Sequence, residues 1–239
     1  MASSRRPSSP VARPGELSAE PSLAVIWDMD GVIVDSAQLH FRSWRTAFRA
    51  YQSGYTYEDF RHTFGQKNDV AIRSILGDQV GPELIDSITR EKEVCFRSLV
   101  KSGELEVFPG TMDLIRGLHR AGFKLAVASS APAENIGIIL RRLRLKHYFP
   151  VVVSSEDVTE GKPAPQVFLL AAERLGTPPG QCLVIEDAVA GVEAAKRAGM
   201  KCIAVTNTNT AASLKAADVV VDSLNEVSVQ TVKSLIAGS

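Results

Sequence analysis

The chain has 239 residues, enough to bury a full core as one large domain or two modest ones. Apolar residues make up 45% and charged residues 23%, and 27 basic side chains balance 27 acidic ones. A net charge of zero excludes the one-signed field of a general nucleic-acid binder, and no apolar run approaches the roughly 18 residues of a membrane-spanning helix.

Residues 1–22 stand apart from the rest. They carry Pro7, Pro10, Pro14 and Pro21, several serines, and Arg5, Arg6 and Arg13, with no acid before Glu16. Such a segment has too little apolar surface to order itself and reads as a disordered leader. Its Ser/Arg-rich, acid-poor composition also matches an organelle transit peptide, although it lacks an amphipathic helical pattern. No apolar stretch serves as a secretory signal. Cys95, Cys182 and Cys202 are far apart, odd in number and free of any metal-ligand spacing, so buried free thiols in a reduced, cytoplasmic setting are expected.

From Leu23 onward, short apolar runs alternate with amphipathic stretches. Strands are predicted at 23–28, 124–129, 151–155, 182–187, 201–206 and 219–222, each apolar nearly throughout, as strands covered on both faces are. Helices are predicted near 111–121, 133–145, 165–176, 188–198, 211–216 and 227–236. That alternation predicts an α/β, Rossmann-like parallel sheet. Between about 37 and 107 there are helical patterns and no convincing strand: 36–50 with Phe41, Trp44 and Phe48 at helical spacing, then 69–76, then 83–99 after Gly81-Pro82. The division expected is therefore a core of residues 23–36 and 109–239 with an all-helical cap domain of residues 37–108 inserted. Phe108-Pro109-Gly110 punctuates the return to the sheet. The aromatic stripe is expected to be cap core.

Ligands of open parallel sheets bind beyond the carboxyl ends of the strands. Here those ends carry Asp28 and Asp30, then Ser129 and Ser130, then Glu186 and Asp187, with Lys162 just past the third strand. Two acids at the end of an apolar strand are poor core material. Carboxylates gathered this closely repel unless a cation neutralises them, and oxygen-only ligands point to a hard ion, magnesium above all for phosphate chemistry.

Asp28-Met29-Asp30-Gly31, Ser129, Lys162 and Glu186-Asp187, in that order and each at or just beyond a strand end, resemble the haloacid dehalogenase superfamily, in particular its phosphatases and sugar-phosphate mutases with a helical cap. The likeness covers residues 23 to about 222. It implies that Asp28 attacks phosphorus and that Asp30 serves as acid and then base. Ser129 and the Ser130 amide would hold phosphoryl oxygens, and Lys162 would offset charge. Magnesium (Mg2+) would sit among Asp28, the Asp30 carbonyl, Asp187 and Glu186, the last directly or through water. The partner expected is a small phosphorylated metabolite, with no nucleic acid and no membrane.

The segment from Asp35 to Trp44 resembles the hinge and first cap helix of β-phosphoglucomutase-type members, where the matching histidine, here His40, helps orient the acid/base aspartate. A structural role for His40 stays open beside the catalytic one. In those mutases an arginine follows a cap-loop glycine by three places and grips the distal phosphate. Here Gly65-Gln66-Lys67-Asn68 puts Asn68 there, and an amide does not replace a bidentate fork. That departure favours hydrolysis, with a β-phosphoglucomutase-like mutase as the alternative and a non-catalytic phosphate-binding protein as a remote one. Lys67 and Asn68 are the candidate substrate contacts of the cap. Asn135 either touches a substrate phosphate or hydroxyl or caps its helix. His62, His119 and His147 are expected to be structural.

Overall fold

The computed structural model describes residues 22–49, 51, 54–103 and 105–238. The leader expected over residues 1–22 lies, but for Ser22, outside them. The chain begins with β1 (Ala24–Trp27) and β2 (Val34–Asp35), followed by α1 (Ala37–Arg49), α2 (Tyr57–Thr63), α3 (Asn68–Leu76) and α4 (Pro82–Ser102). It continues through β3 (Glu106–Val107), α5 (Thr111–Arg120), β4 (Lys124–Ala128), α6 (Ala133–Arg142), β5 (Val151–Val153) and α7 (Gln166–Leu175). It closes with β6 (Cys182–Glu186), α8 (Val189–Arg197), β7 (Lys201–Val205), β8 (Val219–Val221) and α9 (Val229–Ala237).

Six strands form a parallel sheet in the order β5-β4-β1-β6-β7-β8. Successive side chains of a strand point to opposite faces, and β1 is apolar on both because both are covered. Val25 and Trp27 pack against α5, α6 and α9, whereas Ala24 and Ile26 pack against α7 and α8. The chain leaves β1 for β4 and β5 on one side, then returns to place β6 on the other. The strand order therefore reverses at β1, and a crevice opens beyond its carboxyl end.

Helices α1 to α4 form an insertion with a separate apolar cluster built on Trp44, Phe48, Phe60, Ile72 and Ile88. The Trp44 and Phe48 rings stack at 5.5 Å, as expected of a stripe that packs internally. A ribbon of two residues each, β2 against β3, draws the two ends of the insertion together.

Three local expectations are corrected. Glu106–Val107 is a strand where none is predicted, because a two-residue strand carries no periodicity. Helix α2 is also unpredicted. Its seven residues are too few for a clear apolar repeat, and a reciprocal cap holds it, with Thr56 Oγ1 accepting from the Asp59 amide while the Asp59 carboxylate accepts from the Thr56 amide. Residues 211–216 are turns and not a helix. Six residues scarcely offset the cost of helix nucleation, and Leu214 is pinned in the core while its amide donates back to the Thr210 carbonyl.

Candidate active site

The ladder between β1 and β6 runs one residue past β1, with the Asp28 amide donating to the Ile185 carbonyl at 3.0 Å. That bond fixes Asp28 beside the end of β6, where Glu186 and Asp187 follow. Lys162 Nζ reaches in from the loop before α7 and donates to Asp28 Oδ1 at 2.5 Å and to Glu186 Oε1 at 2.6 Å. The other oxygen of Glu186 accepts from the Asp187 and Ala188 amides, both at 2.7 Å, just ahead of α8. Thr208 Oγ1 donates to Asp187 Oδ2, and Asn209 Nδ2 to the Asp187 carbonyl at 3.0 Å. Asp28, Glu186 and Asp187 are all buried.

Two glycines make room for this. A Cβ on Gly31, whose φ is +89°, would overlap the Asp187 carboxylate, and a Cβ on Gly191, in the first turn of α8, would overlap that of Glu186. Asp30 faces elsewhere. Its Oδ1 accepts from Ser36 Oγ at 2.5 Å and lies 3.2 Å from His40 Nε2, while the His40 ring stacks on Phe96 with centroids 4.1 Å apart.

The two aspartates are driven apart in acidity. Burial pushes Asp28 up to about 7, with Glu186 and Asp30 adding repulsion against the pull of Lys162. Burial acts on Asp30 too, but His40 and the hydroxyl of Ser36 outweigh it and hold Asp30 below the usual carboxylate range. Asp187 lies well above that range, from burial and then from Glu186 and Asp28. Burial works against the Lys162 ammonium, yet Asp28 and Glu186 prevail and raise its pKa.

Three buried carboxylates thus share one ammonium, a shortfall of positive charge that a divalent cation would relieve. Among the described residues no three His, Cys, Asp or Glu side chains form a ready-made cage. Asp30 is engaged with Ser36 and His40, and both Glu186 oxygens have protein partners. The donors left are hard oxygens from few side chains, which suits magnesium, an ion that keeps water or phosphate in much of its shell. The residues fit such an ion.

A cavity of about 200 Å³ lies over this edge, lined by Asp28, Asp30, Ser129, Ser130, Lys162, Glu186 and Asp187 from the sheet side. Six of the residues singled out in the sequence as reacting or binding metal, with Ser130, therefore meet. Ser129 is buried, and its Oγ accepts from the Ala131 amide at 3.1 Å. His40 stands behind Asp30. Asn68 lines a neighbouring cleft with His40 and donates to Glu93 Oε1 at 2.8 Å. Asn135 is buried and donates to Glu93 Oε2 at 2.5 Å. Lys67 Nζ donates to the Val158 carbonyl at 2.8 Å, tying the insertion to the sheet domain. Neither Lys67 nor Asn135 is among the residues lining the cavity.

The insertion contributes Arg61, His62, Phe64, Gly65 and Gln66 to the opposite wall. Arg61 carries no signal in the sequence and His62 is expected there to be structural, because the short α2 that presents them has no clear apolar repeat. Asn207, Thr208 and Asn209, which follow β7, are likewise not among the residues expected at the site. Asn207 Nδ2 donates to the Gly31 carbonyl at 2.8 Å. A run of Thr and Asn just past a parallel strand was the available signal.

The family model for haloacid dehalogenase-like hydrolases matches residues 25–205. A phosphorylated carbohydrates phosphatase of Thermotoga maritima is 34% identical over 184 residues, 75% of this chain and 83% of that protein. Among solved structures, CbbY of Rhodobacter sphaeroides in complex with phosphate superposes with a TM-score of 0.81 at 29% identity, covering 89% of this chain and 99% of that one. A β-phosphoglucomutase of Clostridium difficile gives a TM-score of 0.82 at 25% identity, covering 91% and 98%. No helix among the described residues is long and apolar enough to cross a membrane. With a match across most of its folded length and a phosphatase among its relatives, the chain belongs to the haloacid dehalogenase-like hydrolases, as one of their phosphohydrolases.

Proposed function

We propose that the protein is a magnesium-dependent phosphatase of small phosphate monoesters, sugar phosphates foremost, working through a phosphoaspartate on Asp28. One observation carries this reading: Asp28, just past the end of β1, meets Lys162 at 2.5 Å beside Glu186 and Asp187, under a cavity that Asp30, Ser129 and Ser130 also line. Asp28 and Asp187, the Asp30 carbonyl and Glu186, directly or through water, would hold the ion. Bound there, magnesium supplies the charge that keeps Asp28 ionised and draws electron density from the phosphoryl oxygens.

In the first half-reaction an Asp28 carboxylate oxygen bonds to phosphorus as the ester P–O bond breaks. The negative charge of the bound substrate raises the proton affinity of Asp30, which gives the proton it then takes up to the departing oxygen. In the second, Asp30 takes a proton from water as that water attacks phosphorus. The P–O bond to Asp28 breaks, releasing orthophosphate and restoring the enzyme. Lys162 neutralises charge beside the nucleophile throughout, and Ser129 with the Ser130 amide orients the phosphoryl group. Residues 37–108 act as a cap that excludes bulk water during the first half. Cys182 and Cys202 are buried free thiols and Cys95 is partly exposed, which suits a reducing cytoplasm.

The test is orthophosphate release from a panel of monoesters with and without magnesium, with Asp28→Asn as control. Release that ignores the metal or survives the substitution refutes the assignment. A second reading, a sugar-phosphate mutase, is favoured by the His40 contact to Asp30 and the likeness to a β-phosphoglucomutase. Phosphorus NMR of a sugar 1-phosphate separates the two, since orthophosphate marks the hydrolase and the 6-phosphate marks the mutase.

A further inference from the structure

The cavity over Asp28 does not end at the reacting groups. A second one, of about 330 Å³, adjoins it, and the two share Arg61, His62, Phe64, Ala188 and Asn209 in their walls. The second holds none of the reacting carboxylates and no Lys162. Among the described residues lining it, Arg61 is the one arginine or lysine and Glu58 the one acid. It lies where the rest of a substrate would extend once its phosphoryl group reached Asp28.

Arg61 is poorly employed by the protein itself. Its ion pair with Glu58 spans 3.7 Å with both side chains about two-thirds exposed, beyond the 2.7–2.9 Å typical of a charge-assisted hydrogen bond. Exposed pairs of this kind contribute about 0–1 kcal/mol. The guanidinium can therefore turn to a ligand at little cost. His62 is better anchored. Its Nδ1 lies 2.8 Å from the Glu58 carbonyl, which can only accept, so Nδ1 carries a hydrogen. Tyr57, one turn earlier on α2, is 48% exposed at the same wall, with its ring against Phe41 and Phe60. On the opposite side Asn207 and Asn209 are fixed through their own amide donors to the Gly31 and Asp187 carbonyls. The second cavity is thereby held in register with the floor of the first.

We propose that Arg61, with His62 beside it, forms an anion subsite, so that the preferred substrates are phosphate monoesters bearing a further anionic group away from the ester. This rests on the reading that the transferred phosphoryl group docks at Asp28. A guanidinium fork matches a phosphate or a carboxylate equally well. Glu58 opposes either, and its pairing with Arg61 must open when the ligand enters.

The experiment compares fructose 1,6-bisphosphate, 6-phosphogluconate and the neutral-tailed fructose 1-phosphate and 6-phosphate on the wild type, Arg61→Ala, Arg61→Lys and Glu58→Gln. Expected is a wild-type kcat/KM for at least one doubly anionic substrate about tenfold above the neutral-tailed ones, a ratio that Arg61→Ala abolishes through KM and Arg61→Lys restores in part. Glu58→Gln should raise the ratio. A gain for the bisphosphate alone assigns the subsite to phosphate, and a gain for the sugar acid alone assigns it to carboxylate. No preference in the wild type, or an equal fall on every substrate in Arg61→Ala, overturns the inference. Calorimetric binding of the same compounds to Asp28→Asn, with and without Arg61→Ala, decides the point independently of turnover. Loss of all phosphate release with intact, Arg61-dependent binding would indict the catalytic reading and leave the subsite standing.

Discussion

Replacing Lys162 with Met tests the electrostatics of the site most directly. The ammonium is 5% exposed and bridges Asp28 and Glu186, themselves 9% and 1% exposed. Methionine fills similar volume, so the loss is mainly of charge. Removing one partner of a buried ion pair leaves the other charge uncompensated, which typically costs about 3–5 kcal/mol. Here two carboxylates lose the same partner, so the upper part of that range is expected near neutral pH. The sign of the pH dependence follows from Asp28. Its folded pKa, already about 7, lies above the unfolded value near 3.8 and rises further without Lys162. A carboxyl raised in this way contributes stability below pH 4 that is lost as pH climbs through the folded pKa.

Urea unfolding of Lys162→Met against wild type should accordingly show a small gap at pH 5 and a large one at pH 8. Magnesium should narrow the gap at pH 8, because the carboxylates left without Lys162 hold a cation more tightly than in the wild type, and each tenfold difference in Kd adds about 1.4 kcal/mol to the variant's side at saturating ion. Turnover should fall by roughly 10²–10³, the usual loss when one preorganised charge donor is removed. A gap below about 1 kcal/mol at pH 8 that does not vary with pH would refute the picture of carboxylates short of positive charge.

Three further outcomes follow from single contacts. Asp28→Asn should abolish phosphate release yet unfold at no lower urea concentration than wild type at pH 8, since it removes a carboxyl whose burial disfavours its charged form; a clear drop in stability contradicts this. Gly191→Ala drives a methyl into the Glu186 carboxylate and should cost about 1–3 kcal/mol with a matching loss of kcat, whereas Gly122→Ala, which meets nothing within 4 Å but has φ +83°, should cost stability without touching kcat. Asp157, far from the cavity, is held at about 2 by Ser154 and Arg174. Asp157→Ala should therefore lose about 1 kcal/mol at pH 7 after allowance for solvent screening, with the difference fading as pH falls from 4 toward 2, read by urea denaturation at each pH.

How much of this was legible in the sequence depended on whether a residue's role is set by its own strand. Asp28, Asp30, Ser129, Glu186 and Asp187 end or follow apolar runs too regular to mistake, so the edge they share can be read from spacing. Lys162 could be placed only in a loop, and the motif order made it stand out. Asn68 reads as a substrate contact because it stands where the similar mutases carry a phosphate-gripping arginine, and Asn135 reads equally as a substrate contact or a helix cap. In the structure both donate to one buried carboxylate, Glu93, which sits mid-helix in α4 and gave no outward sign of such a role. Arg61 and His62 were hidden for a different reason. Helix α2 is stabilised by its Thr56–Asp59 cap and by packing of Phe60, which are tertiary and capping effects that a periodicity count over seven residues does not register.

The gathering of charge itself follows from topology. Neighbouring strands of a sheet lie about 4.8 Å apart, and β1 is flanked by β4 and β6, all running the same way. Any acids that end β1 and β6 are then forced within a few ångström of one another whatever their chemistry. The other flanking strand, β4, runs out into Ser129 and Ser130 and brings no cation to that edge. Positive charge must therefore arrive from outside the sheet: Lys162 comes from the loop before α7 at the floor, and the proposed magnesium among the carboxylates and the proposed Arg61 subsite at the far wall would add to it. A variant with Asp187→Asn lowers that demand by one charge. It should also remove one proposed ligand of the ion, and so raise the magnesium concentration needed for half-maximal phosphate release while leaving the Lys162 contacts to Asp28 and Glu186 in place; an unchanged requirement would show that the ion is held elsewhere.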